Sequence, residues 1–249
     1  MKFDTVQLFA TCIVDTLYPE VGHAVVDVLE RAGVRVEFPA DQTCCGQPAF
    51  NAGMRRQARQ IAEHTIHVFE RAPGAIVIPS GSCAAMVRHS YLELFANDPV
   101  WLPRAEAMAS RTFEFTEFLV DVLGVTDVGA SYDGKVTYHS SCHLLREMGV
   151  DRQPRLLLSA VKGALLVELP HGSDCCGFGG VFSVEHPEIS TEMLERKVES
   201  IELAAAPLVV SCDGGCITAI NGGLNRRNRP QRAVHIAQLL SGIQEGGPQ

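Results

Sequence analysis

The sequence predicts an α/β protein built of two similar halves, each with a small, mainly parallel sheet, the halves related by a pseudo-twofold. Three observations carry that expectation. Short aliphatic and β-branched runs alternate with longer stretches of helical periodicity, the pattern of parallel strands joined by crossover helices. Two adjacent cysteines followed at once by glycine occur twice, at Cys44-Cys45-Gly46 and Cys175-Cys176-Gly177. Each pair has a single upstream and a single downstream partner at matching distance. Cys12 stands 32 residues before Cys44 and Cys142 stands 33 before Cys175, while Cys83 follows Cys45 by 38 and Cys216 follows Cys176 by 40. Intervals that repeat this closely mark an internal duplication.

Thr5 to Phe9 reads as a buried strand that delivers Cys12 to its end. Pro19 opens a helix that runs through Ala32, with Val21, Val25, Val28 and Leu29 on one face and Gly33 as its stop. Val34 to Phe38 is a second strand, and the loop after it carries Cys44, Cys45 and Gly46. A helix from about Met54 to Arg71 leads to a third strand, Ile76 to Ile78, before Pro79-Ser-Gly-Ser-Cys83. All positions of the first cysteine set therefore follow strands. In an open parallel sheet the carboxyl ends of the strands share one edge, which brings these residues to one place.

Pro99 to Gly124 interrupts the pattern with two helices, one of them containing Phe113 to Val120. The scheme then restarts with a strand at Lys135 to Tyr138 before Cys142 and a helix near Gln153 to Val161. A strand at Leu165 to Leu169 precedes Cys175-Cys176-Gly177, and a helix from Pro187 to Ala205 and a strand at Leu208 to Val210 lead to Cys212 and Cys216. The expected organisation is a first Rossmann-like half over residues 1–98, a helical connector over 99–128 and a second half over 129–249.

With 249 residues, 46% of them hydrophobic, the chain can bury a sizeable core. Met1 to Ala10 lacks the long apolar run of a secretory signal and nothing later is long enough to span a bilayer, so a cytoplasmic protein with no membrane span is expected. Nine cysteines in a reducing compartment argue against a disulfide framework and for metal or redox chemistry. The net charge of −8 disfavours nucleic acid. The one concentrated basic stretch, Asn225 to Arg232, reads as a solvated loop, with docking to an acidic partner as the alternative.

Adjacent cysteines can place two thiolates on one inorganic cluster, and the glycine that follows lets the backbone turn around it. Cys12, Cys44, Cys45 and Cys83 form one candidate ligand set, and Cys142, Cys175, Cys176 and Cys216 the other. Cys212 is a possible additional ligand of the second. Four soft thiolates suit an iron–sulfur cluster, expected here to be of the 4Fe–4S type, or structural zinc at one of the sites. Gly46, Gly81, Gly177, Gly179, Gly214 and Gly215 can offer backbone N–H groups to sulfur or serve turn geometry alone. His139, His143 and His171 lie near the second set, as ligands, hydrogen-bond donors or ordinary loop histidines. His64 and His67 are read as surface residues with no acidic or thiol partner. No catalytic triad, carboxylate pair or phosphate loop stands out, and the glycines at 177–180 do not have dinucleotide-binding spacing.

These motifs resemble the CCG, or cysteine-rich, domain family, whose pattern is a cysteine, a long gap, Cys-Cys-Gly, another long gap and Cys-x-x-Cys. The resemblance covers both halves. In size, and in Cys44 to Gly53, Pro79 to Cys83 and Cys175 to Gly180, the chain looks most like the lactate-utilisation protein A group, which is related to the heterodisulfide reductase B subunit and the glycolate oxidase iron–sulfur subunit. Ser80 and Asp213 stand where the family has the earlier cysteine of each final pair. The resemblance implies an iron–sulfur subunit of a multiprotein oxidoreductase that oxidises L-lactate to pyruvate, working with lactate-utilisation proteins B and C. Disulfide reduction at a cluster, as in heterodisulfide reductase, and a non-catalytic zinc-stabilised scaffold are the alternatives.

Overall fold

A computed structural model describes residues 3–242. The last seven residues of the expected second half, and Met1 and Lys2, lie outside the described residues. The first half runs β1 (Thr5–Leu8), α1 (Cys12–Leu17), α2 (Pro19–Arg31), β2 (Arg35–Glu37), α3 (Gln47–Asn51), α4 (Arg55–Phe69), β3 (Ala75–Ile78), α5 (Gly81–Ala85), α6 (Tyr91–Phe95), α7 (Trp101–Ala109), β4 (Thr112–Glu114) and α8 (Phe115–Glu117). The second runs β5 (Ser131–His139), α9 (Cys142–Arg146), α10 (Arg152–Ser159), β6 (Lys162–Val167), α11 (Phe182–Glu185), α12 (Pro187–Ala204), β7 (Leu208–Ser211), α13 (Gly214–Arg226), β8 (Arg232–His235) and α14 (Ile236–Ser241).

Each half holds a four-stranded sheet in which every described pairing is parallel, in the orders β2-β1-β3-β4 and β6-β5-β7-β8. The second order is the first one repeated, as the duplicated cysteine spacing requires. Among the central strands β3 is apolar and buried along its whole length, as suits a parallel sheet with helices on both faces. Helix α2 begins at Pro19, whose missing N–H is no loss in a first turn, and buries Val21, Ala24, Val25, Val28 and Leu29.

Two strands depart from the sequence-based expectation. Within the segment read as a helical connector, Thr112–Glu114 is the fourth strand of the first sheet, pairing Ile76 with Thr112 and Ile78 with Glu114. Within the second half, Arg232–His235 pairs with β7 and closes the second sheet. Both are short and polar, so neither shows the aliphatic run by which the inner strands are recognised.

One core cluster joins the halves. It contains Val6, Val25 and Phe118 from the first part of the chain and Val136, Tyr138, Val210 and Leu240 from the second. Arg31, at the end of α2, donates to the Leu240 carbonyl at 2.8 Å and to the Val128 carbonyl at 3.3 Å. No helix among the described residues is long and apolar enough to cross a membrane. Within the basic stretch, Arg227 pairs with Glu199 and Glu202, and Arg229 with Glu202 at 2.6 Å, both across to α12.

Candidate functional site

The cysteines of both sets sit at the carboxyl ends of their strands, as a parallel sheet dictates. Cys12 opens α1 directly after β1, Cys44 and Cys45 lie in the loop after β2, and Cys83 lies in α5 after β3. Cys142, Cys175, Cys176 and Cys216 repeat these places around β5, β6 and β7. Within the first set the Cys12 and Cys44 sulfurs are 3.6 Å apart and the Cys45 and Cys83 sulfurs 3.2 Å; in the second, the Cys176 and Cys216 sulfurs are 3.3 Å apart. All nine cysteines are free thiols. In each set two thiols are buried and two are half-buried, so each site has a sealed side and an open one.

The turn geometry explains the glycine after each pair. Gly46 and Gly177 have φ of 88° and 84°, left-handed values that a side chain resists, and each directs its N–H to the first sulfur of its pair at 3.4 Å. Gly81 and Gly215 do not address sulfur: their N–H groups go to the Cys212 carbonyl and to Asp213 Oδ1.

The two sets, expected from sequence as separate sites, open on one cleft. Cys12, Cys44, Cys45 and Cys83 line it from one side and Cys142, Cys175, Cys176 and Cys216 from the other. The sheets therefore meet at their carboxyl edges, and small residues let them do so. A Cβ on Gly81 would lie 2.5 Å from Leu144 Cβ of α9, and one on Gly214 would lie 2.8 Å from Ile13 Cγ2 of α1. Ser80 and Asp213 bind the seam: Ser80 Oγ donates to Asp213 Oδ2 at 3.0 Å, and the Ser82 N–H donates to the same oxygen at 3.0 Å. Each also caps its own helix, Ser80 accepting from the Cys83 N–H and Asp213 from the Gly215 N–H. Sequence reasoning saw these two residues as missing cysteines and did not see that they bond each other.

Cys212 is apart from the cleft. It is fully buried in the core that joins the halves, its sulfur 3.8 Å from Tyr138 Oη, and burial pushes its thiol up. Strand alternation accounts for this: Asp213 faces the cleft and its neighbour faces inward. His143 is at the cleft, its Nδ1 3.6 Å from the Cys142 sulfur, and His171 is exposed. His64 and His67 are on the surface, but the expectation that no acidic partner accompanies them fails for His67. Its Nδ1 lies 2.9 Å from Glu70 Oε1, one helical turn away, and 2.8 Å from Arg104.

The electrostatics show what each set needs. Cys44 is held well below the ordinary thiol range because Cys12 and then Cys45 donate to it, while Cys12 and Cys45 are pushed up as the donors. Cys175 is lowered by Cys142 and Cys176 in the same way, and those two are raised. Protein groups alone thus stabilise about one thiolate in each set, since neighbouring thiolates repel and burial opposes charge. A bound cation would let the others ionise, which is the fit expected of a metal ligand set. Among the described residues no three thiols of one set lie mutually within 4.8 Å. Four thiols gathered in this way suit soft-metal chemistry, an iron–sulfur cluster or zinc.

Two residues beneath the second set add to the site. His139 is fully buried with one ring nitrogen within 4.8 Å of the Cys176 and Cys216 sulfurs, and Lys197, 1% exposed, donates to the His171 and Gly172 carbonyls. Sequence reasoning weighed His139 and missed Lys197. The signal was there: Lys197 falls on the same helical stripe as Leu194, Val198 and Ile201.

Comparison with known proteins agrees with this architecture. The model of the cysteine-rich (CCG) domain matches twice, at residues 6–88 and 136–221. Proteins named lactate utilization protein A are similar over nearly the whole length. That of Exiguobacterium sp. is 48% identical over 95% of this chain and 96% of its own. That of Bacillus pumilus is 50% identical over 95% and 98%, and that of Oceanobacillus iheyensis 45% identical over 97% and 98%.

Proposed function

Because this chain belongs to the cysteine-rich CCG domain family, we propose that it serves lactate utilisation as an electron-carrying iron–sulfur subunit of an assembly that oxidises L-lactate to pyruvate. The observation that carries the reading is the pair of four-thiol sets facing one cleft, in each of which protein groups by themselves favour about one thiolate. Cys12, Cys44, Cys45 and Cys83 hold the first centre, and Cys142, Cys175, Cys176 and Cys216 the second. Clusters of the 4Fe–4S type supply one-electron redox chemistry at such sites. The chain's own part is to present the thiols, to direct the Gly46 and Gly177 N–H groups at sulfur, and to seal the inner side with Cys45, Cys83, Cys176 and Cys216. Cys212 has no place in the ligand set on this reading.

Removing two electrons and protons from a hydroxy acid needs a paired-electron acceptor, normally an organic cofactor, and this sequence carries no motif for one. The chain therefore acts with partner subunits of the lactate-utilisation system, proteins B and C, in the cytoplasm. Disulfide reduction is the second reading, favoured by the shared cleft alone: a disulfide seated there would take two electrons and two protons to give two thiols. Iron and acid-labile sulfide in anaerobically purified protein test the centres; zinc without sulfide would overturn the electron-carrying role. Bleaching of the cluster absorbance by lactate plus the partner subunits, and not by thiols or disulfides, separates the first reading from the second.

A further inference from the structure

The two thiol sets match in spacing and in fold, but the side chains beneath them do not. Helices α4 and α12 begin at Arg55 and Pro187, and the carbonyls that press on the turns after the cysteine pairs, Ala58 below Gly46 and Ser190 below Gly177, keep the same offset of 132 residues. By that register Lys197 is the counterpart of Thr65. Both are buried, but Thr65 is uncharged and its hydroxyl donates to the Ile61 carbonyl of its own helix at 2.9 Å. Lys197 reaches out of α12 to the His171 and Gly172 carbonyls, at 2.8 and 3.3 Å, at the start of the loop that carries Cys175 and Cys176.

The strands show the same contrast. Cys142 repeats Cys12 and Val136 repeats Val6, so His139 repeats Phe9. Phe9 is buried against Phe69, with ring centroids 4.9 Å apart. His139 is equally buried, but neither of its ring nitrogens has a hydrogen-bond partner; the Gly172 backbone is near enough to favour protonation weakly and lies outside bonding geometry. An imidazole left unpaired in a core is costly unless a partner engages it. The Cys176 and Cys216 sulfurs lie within 4.8 Å of one of its ring nitrogens. In the first half buried Tyr91 gives its hydroxyl to the Cys45 carbonyl and not to a sulfur.

We propose that His139 and Lys197 make the second centre the higher-potential one of the two, His139 by donating a ring N–H to a cysteine sulfur and Lys197 by holding a buried ammonium behind the Cys175-Cys176 turn. This rests on the iron–sulfur reading above. Reduction adds one electron to a site, and a nearby cation in a low-dielectric interior stabilises that added charge. A hydrogen bond to sulfur withdraws charge from the cluster and acts in the same direction. An imidazole carries at least one ring N–H, so His139 has a proton to donate. Asp213 does not cancel the contrast. Its Oδ2 accepts from the Ser82 N–H beside Cys83 and its Oδ1 from the Gly215 N–H beside Cys216, so it bears on both sites. Asp174, the other carboxylate near Lys197, is exposed and screened. An electron delivered to the chain then rests on the second set, and no bond is made or proton moved in getting there.

The test is a redox titration of the anaerobic full-length protein, followed by visible absorbance and electron paramagnetic resonance after iron and sulfide have been counted. Two reduction waves are expected, the upper lost in Cys176→Ser and the lower in Cys45→Ser. Lys197→Met and His139→Phe should each move only the upper wave to lower potential, and Lys197→Arg should leave it near its original place. His139→Phe installs the side chain that the first half already carries there, so it remains informative if Lys197→Met does not fold. A single wave, an upper wave that belongs to the first set, or an upper wave indifferent to both substitutions would overturn the inference. So would loss of iron in His139→Phe, which would make the histidine a ligand. Absence of iron and sulfide at the outset would instead overturn the functional reading, and this inference with it.

Discussion

A cysteine in this chain is read by where its sulfur is held, and the nine fall into two kinds. Cys45 and Cys176 are buried at the inner side of their sites, each thiol donating a hydrogen bond to the sulfur of the cysteine after the third strand. Replacing either with serine keeps the volume and loses the soft donor. Cys45→Ser and Cys176→Ser should each remove about half of the bound iron and sulfide, measured colorimetrically, and leave the other site's absorbance. Cys212 is a core residue beside Tyr138. Cys212→Ala should keep the full iron content and cost on the order of 1 kcal/mol of stability for the small cavity left, read from denaturant unfolding. Loss of iron in that variant would return Cys212 to the ligand set.

At the scale of elements the decisive contacts are reciprocal. The helix after the third strand of each half meets the helix after the first strand of the other, α5 against α9 and α13 against α1, with glycine at the closest point. Gly81 N–H also donates to the Cys212 carbonyl across this seam. Gly81→Ala places a methyl group 2.5 Å from Leu144 Cβ, on the backbone side of a buried leucine that cannot swing away. Overpacking of this kind costs about 1–3 kcal/mol, and it should also make the thiols of both sets react faster with a bulky maleimide in metal-free protein. Unchanged stability and unchanged labelling would show that the seam is looser than the geometry indicates.

The whole molecule carries a pH dependence at the junction of its halves. Glu114 ends β4, caps α8 and is fully buried, with its Oε1 unpartnered and the Tyr138 and Cys212 side chains close enough to feel its charge. Burial pushes its carboxyl up from 4.5 to about 8. Its folded value is raised, so the folded state holds the proton that the unfolded chain gives up near pH 4.5, and stability falls as pH rises toward 8. His235 acts oppositely. Burial lowers it from 6.5 to about 4, so stability rises with pH over that interval. His139, lowered to about 3, adds to the slope of His235, and the depressed thiols Cys44 and Cys175 also add stability as pH rises, so the Glu114 contribution is read as a difference from its own variant. Between pH 6.5 and 8 the stability of the unsubstituted protein relative to Glu114→Gln should fall by up to about 2 kcal/mol; urea midpoints of both proteins across that range check it. On the same scale, the purified chain with no flavin or partner present should not oxidise lactate with a soluble dye. Turnover by the chain alone would place the substrate chemistry at its own thiol sites.

The spacing of eight cysteines, and the alternation of aliphatic runs with amphipathic helices, were enough by themselves to determine two repeated α/β halves with a set of four cysteines at the strand ends of each. Those features are local or periodic, and parallel sheets turn such periodicity into position without further information. The strands Thr112–Glu114 and Arg232–His235 were not legible, because a short polar strand is defined by the neighbour it pairs with and not by its own residues. Only the tertiary structure brought the two sets onto one cleft, bonded Ser80 to Asp213, and turned Cys212 into the core. It also placed Lys197 and His139 under one set and Thr65 and Phe9 under the other. Each of these is a contact between residues far apart in the chain, and what a buried side chain does is fixed by the charges and donors that the fold sets around it.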